Sequence, residues 1–111
     1  MKRQIDVVAG VNEYLRMVEP RRWRASECAS LMHMSESTLL ERLRKEHQQF
    51  RTLVRNARLE IVRREIMKGA TSHEAGYAAG VNADSVSRIL TDEGESITKY
   101  RRMAKQQGNK A

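Results

Sequence analysis

Aromatic residues make up only 5% of the chain, proline occurs once (Pro20) and cysteine once (Cys28). Scarce aromatics leave no large core to build, so 111 residues suit one compact unit or two of half that size. A lone cysteine excludes a disulfide within the chain and fits a reducing compartment. No segment approaches the ~20 consecutive apolar residues of a membrane helix. The start, Met-Lys-Arg-Gln-Ile-Asp, lacks the apolar run of a signal peptide. A soluble, cytoplasmic chain with no membrane partner is the expectation. Cys28, His33, His47 and His73 are too scattered for a zinc site. Neither a phosphate-cradling glycine loop nor an acid/base pair is evident, so no enzyme activity, metal or cofactor is expected. Sustained period-two alternation is missing too, which leaves no strand signal and an all-α expectation.

What the chain does carry is positive charge and helical periodicity. The formal charge of +7 points to a polyanionic partner, most simply nucleic acid. Ile5, Val8, Val11, Leu15 and Val18 predict an amphipathic helix that stops at Pro20. A basic connector follows, Arg21-Arg22-Trp23-Arg24, with Trp23 read as the plug of a small helical core. Ala25–Met32 predicts a short helix, His33-Met34 a turn, and Ser35 the N-cap of a helix over Glu36–Glu46. A long helix then spans Phe50–Lys68, with Phe50, Leu53, Val54, Ala57, Ile61 and Ile66 on one apolar face, and Gly69 ends it. Thr71 and Glu74 form a capping box; helices over Glu74–Ala79, Ala83–Asp92 (capped by Asn82) and Ser96–Lys105 complete the chain. Met17, Met32, Met34, Met67 and Met103 are read as packing residues, and Cys28 as a small core residue.

The chain also repeats itself at an offset of 47 residues, Glu27–Arg55 over Glu74–Arg102. Ala29 meets Gly76, Met34-Ser35 meets Val81-Asn82, and Thr38 meets Ser85. Leu39 and Leu43 meet Val86 and Leu90, Glu46 meets Glu93, Phe50 meets Ile97, Leu53 meets Tyr100, and Arg55 meets Arg102. Each copy has the spacing of a helix-turn-helix: a small residue where two helices touch, a tight turn four residues later, and an apolar anchor six beyond that. The second copy supplies Gly76, Gly80 and Val86; the first supplies Ala29, His33 and Leu39, with histidine where glycine is commoner. The resulting architecture is two helix-turn-helix subdomains, 1–49 and 69–105, joined by a linking helix over 50–68, with a flexible tail at 106–111. At ~1.5 Å per residue the linking helix is roughly 28 Å long, close to the ~34 Å of one DNA turn.

The chain resembles the AraC/XylS family of bacterial transcription regulators. The resemblance rests on Met34-Ser-Glu-Ser-Thr-Leu-Leu-Glu-Arg-Leu-Arg-Lys-Glu46, Phe50, Ala57-Arg-Leu-Glu60, Glu74-Ala-Gly-Tyr-Ala-Ala-Gly80, Ser87-Arg88 and Tyr100-Arg-Arg102. It implies two homeodomain-like recognition helices entering adjacent major-groove segments of double-stranded DNA. It further implies an activator that contacts RNA polymerase, acts as a monomer or DNA-assisted dimer, and sits at the nucleoid.

Candidate base-reading residues are Ser37 and Glu41 in the first recognition helix, and Asp84, Ser87 and Arg88 in the second. Arg88 leads them, because a guanidinium pairs bidentately with guanine O6 and N7, while Glu41 could accept from cytosine N4. Candidate phosphate-binding residues are Arg24, Thr38, Arg42, Arg44, Lys45, Arg55, Ser85, Arg101 and Arg102, with Arg63 and Arg64 adding positive charge in the linking helix. The recognition helices themselves are not basic: Glu36–Glu46 sums to zero (three Glu, two Arg, one Lys) and Ala83–Asp92 to −1 (two Asp, one Arg). Acidic readers support a rival reading, a protein-interaction module that binds a regulator or an RNA polymerase subunit on a helix-turn-helix scaffold.

Overall fold

Side-chain caps start most of the helices. A computed structural model describes residues 6–108, and among these the Asp6 carboxylate accepts from the Ala9 N–H and opens α1, Val7–Met17. A 3-10 turn at Pro20–Arg22 leads to α2, Ala25–Leu31; Ser35 then caps α3, Glu36–Lys45. The long α4 runs Phe50–Met67. Thr71 and Glu74 close a reciprocal capping box on α5, Ser72–Ala79; Asn82 caps α6, Ala83–Asp92; and the Ser96 hydroxyl accepts from Lys99 at the start of α7, Ile97–Gly108. No strand occurs among the described residues, and the fold is all-α.

The chain divides into two compact units, the first ending at Ala57 and the second starting at Arg58, so the boundary falls inside α4. The first unit buries Val7, Val11, Tyr14, Leu15, Trp23, Cys28, Ala29, Leu39, Leu43 and Leu53. In the second, Leu59, Val62, Ile66, Ala75, Ala79, Val86 and Leu90 form the core, with Ile61, Val81, Ile89, Ile97 and Tyr100 packed against it. This division explains why α4 does not present the single apolar face expected of it. Its early turns give Leu53 to one core and its later turns give Leu59, Val62 and Ile66 to the other, while Phe50, Val54, Ala57 and Ile61 are only half-buried.

Two other expectations need correction. In α1 the expected Val11 and Leu15 are buried, but Val7 and Tyr14 join them in place of Val8 and the C-cap Val18, both half-buried; Ile5 lies outside the described residues. Tyr14 is buried while its hydroxyl reaches Glu27 and the Arg24 N–H. The methionines do not act as one packing set. Met17 is 74% exposed at the end of α1 and Met103 is also exposed, whereas Met32, Met34 and Met67 are half-buried.

The repeat holds hydrogen bond by hydrogen bond. Met34 N–H donates to the Ala29 carbonyl at 3.0 Å, as Val81 does to Gly76 at 2.8 Å. His47 donates to Arg44 and Gly94 to Thr91, both at 2.9 Å; Gln48 donates to Leu43 at 2.9 Å and Glu95 to Leu90 at 2.8 Å. The turns also share backbone handedness. Gly80 (φ 78°) and Gly94 (φ 71°) are left-handed, and so are their counterparts His33 (φ 60°) and His47 (φ 58°). Histidine is among the side chains that enter this region with some frequency, which lets the first copy turn without glycine.

Between α5 and the following turn the backbone approach is close. A Cβ at Gly76 would lie 2.8 Å from the Val81 carbonyl oxygen and 3.2 Å from the Asn82 carbonyl, backbone atoms that cannot swing aside. Ala29 carries that methyl in the first unit and is buried without difficulty. Gly76→Ala should therefore destabilise the protein by about 1–3 kcal/mol despite the better helix propensity of alanine. Urea unfolding of the two proteins checks this, and an unchanged midpoint would reject the close approach.

Candidate nucleic-acid interface

Each candidate recognition helix, α3 and α6, is held from below and left open above. In α3, Leu39 and Leu43 are fully buried, and the Ser35 hydroxyl oxygen accepts from the Thr38 N–H at 3.1 Å. The same hydroxyl donates to Thr38 Oγ1 at 2.8 Å, so the half-buried Thr38 side chain is oriented by its own cap. The opposite face presents Ser37, Leu40, Glu41 and Arg44, spaced i, i+3, i+4 and i+7 and all exposed. Within the first unit these four line an open groove of about 590 Å³ together with Ala25, Gln48, Gln49, Phe50 and Arg51.

Helix α6 repeats the arrangement. Val86 and Leu90 are fully buried, and the Asn82 side-chain oxygen accepts from the Ser85 N–H at 2.9 Å, with Ser85 half-buried. Its exposed stripe is Asp84, Ser87, Arg88 and Thr91, the repeat counterparts of Ser37, Leu40, Glu41 and Arg44. The expected base-reading residues thus lie on one face of α3 (Ser37, Glu41) and one face of α6 (Asp84, Ser87, Arg88). At the same position one copy carries a carboxylate, Glu41, and the other a guanidinium, Arg88. Neither makes a hydrogen bond or ion pair among the described residues, so Arg88 is not paired with the nearby Asp84 or Glu93.

Most of the expected phosphate-binding cations are also exposed. Arg42, Arg44 and Lys45 cluster in the last turn of α3, where positive charge also suits the helix C-terminus. Arg101 and Arg102 are exposed on α7, Arg55 on α4, and Arg24 just before α2. Arg24 is placed by Tyr14, whose hydroxyl accepts the Arg24 N–H at 3.0 Å and donates to the Glu27 carboxylate at 3.1 Å. Trp23 plugs the core beside it, 8% exposed, with its indole N–H on the Val18 carbonyl at 2.7 Å.

Not every basic side chain is available to an external anion. Arg63 forms a bidentate pair with Glu95 through Nε at 2.9 Å and Nη2, and the Tyr100 hydroxyl donates to the same carboxylate at 2.7 Å. The Arg63 guanidinium, followed by the Tyr100 hydroxyl, holds the Glu95 carboxyl below the usual carboxylate range. Arg22 is likewise engaged, by Glu27 at 3.3 Å, and Arg64 lies 3.7 Å from Glu65. Arg58, which sequence reasoning did not single out, donates to the Ala79 carbonyl at the end of α5 and anchors the turn that aims α6. An Arg–carbonyl bond across 21 residues leaves no local sequence signal.

Cys28 is fully buried, 3.9 Å from the Met32 sulfur, and burial pushes its thiol up to about 11, which makes it a packing residue rather than a nucleophile. Among the described residues no group of three or more His, Cys, Asp or Glu could hold a metal ion, and no helix is long and apolar enough to cross a membrane.

No family model matches the chain, and no curated protein matches it. Among solved structures, its fold is similar to the crystal structure of a DNA-binding transcriptional dual regulator from Escherichia coli K-12. The match covers 96% of this chain and 98% of that one, with a TM-score of 0.83 at 19% sequence identity.

Proposed function

We propose that this protein is a sequence-reading, DNA-binding transcription regulator of AraC/XylS type. The observation that carries the reading is the pair of capped recognition helices, α3 and α6, each anchored by buried aliphatics and each presenting an unpaired polar stripe. The fold shared with a DNA-binding transcriptional dual regulator supports it. In this function Arg88 donates to guanine O6 and N7 and Glu41 accepts from cytosine N4, with Ser37, Asp84 and Ser87 bonding neighbouring base edges. Arg24, Thr38, Arg42, Arg44, Lys45, Arg55, Ser85, Arg101 and Arg102 hold phosphates and set register. Helix α4 links the two readers so that they enter adjacent major-groove segments. The chain acts at the nucleoid, as a monomer or DNA-assisted dimer, and activates transcription through RNA polymerase.

Selection of purified protein on a pool of random duplex DNA tests this, alongside Arg88→Ala. One site about two helical turns long should be enriched. Arg88→Ala should relax a single position of that site at a cost of about 1–3 kcal/mol. The exposed carboxylates Glu36, Glu41 and Asp84 on otherwise near-neutral helices favour one alternative, a helix-turn-helix scaffold that binds a regulator or polymerase subunit. Absence of any enriched sequence would turn the assignment to that partner class.

A further inference from the structure

Five large apolar side chains are exposed among the described residues: Met17, Leu31, Leu40, Tyr77 and Met103. Leu40 is the one that belongs to a recognition helix, where it occupies the middle of the exposed α3 stripe at 42% exposure. It does not serve the core, which α3 supplies through Leu39 and Leu43. The scaffold does not demand it either, since the same position of the second copy is Ser87. Leu40 lines the groove of the first unit together with the apolar Ala25 and Phe50 and the polar Ser37, Glu41 and Arg44.

An occupant of this groove meets an apolar point at Leu40, one exposed carboxylate, Glu41, and two exposed guanidiniums, Arg44 and Arg51, which suit a partner that is apolar at one point, offers a donor beside it and is anionic at its edge. A DNA major-groove edge has that character: phosphates flank it, and the C5 methyl of thymine is its apolar group. We propose that Leu40 is a thymine-methyl reader, seated against one thymine of the half-site taken by the first unit, a preference the second unit lacks at Ser87. The inference rests on the DNA-reading function above.

The test uses the full chain and the site enriched from random duplex DNA. Each thymine in that site is replaced singly by uracil, which keeps every hydrogen-bonding group and loses only the methyl. One replacement should weaken wild-type binding about fourfold, the worth of burying a single methyl-sized group. In Leu40→Ala and Leu40→Ser that same replacement should have no effect, while helical circular dichroism stays unchanged because the side chain is exposed. Wild-type binding indifferent to every replacement, or an enriched site without thymine, overturns the role of Leu40 while leaving DNA reading intact. A fourfold loss that persists in both variants overturns it as well. Failure to enrich any sequence overturns the DNA-reading function and the Leu40 inference together.

Discussion

Raising monovalent salt from 50 to 200 mM should weaken DNA binding by a factor of about 10³–10⁴. The reason is where the charge lies. The proposed base-reading positions contribute one exposed cation, Arg88, whereas Arg24, Arg42, Arg44, Lys45, Arg101 and Arg102 are exposed side chains suited to phosphate. Neutralising about six phosphates gives a log–log slope of about −5, because each contact releases most of a condensed counterion. Arg63 does not join this set, being bidentate with Glu95, and Arg22 is held by Glu27. Arg44→Ala should reduce the slope by about one unit and leave sequence preference unchanged, the reverse of what is expected of Arg88→Ala. Titration of a labelled duplex at several salt concentrations reads both quantities. A slope near zero would defeat the prediction and favour a protein partner for the acidic α3 and α6 surfaces.

Leu90→Ala should cost about 2–5 kcal/mol of stability, and Leu43→Ala in the first unit a similar amount. Both leucines are fully buried at the same repeat position, one on the inner face of α3 and the other on that of α6. Truncation removes apolar burial and leaves a void that small cores of this kind close only in part. Against a typical total of roughly 5–15 kcal/mol, either loss is a large fraction. Equilibrium urea unfolding followed by circular dichroism measures it. A cost below about 1 kcal/mol would mean that the leucine is not packed as described.

Much of this fold is legible in the chain because its signals are local. Ser35, Thr71 and Asn82 carry cap chemistry within three residues of the N–H groups they bind, and Gly80 announces a turn by lacking a side chain. The exposed stripes of α3 and α6 follow from the buried ones, since knowing where Leu39, Leu43, Val86 and Leu90 point leaves the opposite face to solvent. What escapes is non-local or degenerate. Val7 and Val8 are equally apolar neighbours, and only the folded chain shows that Val7 is the buried one. The Arg63–Glu95 pair spans 32 residues, so Arg63 reads as a free cation until the chain is folded. His47 carries no turn signal at all, yet it adopts the conformation of Gly94.

That last correspondence means the two copies reach one geometry by opposite thermodynamic routes. At Gly80 and Gly94 the folded backbone is relaxed, and the opposing term is the wide freedom that glycine surrenders from the unfolded chain. At His33 and His47 the unfolded chain is already narrower, and the opposing term is steric crowding of Cβ in the native turn. The first of these penalties scales with absolute temperature and the second does not. Warming should therefore weaken the turns of the second unit more steeply than those of the first, although the same turn hydrogen bonds recur in both.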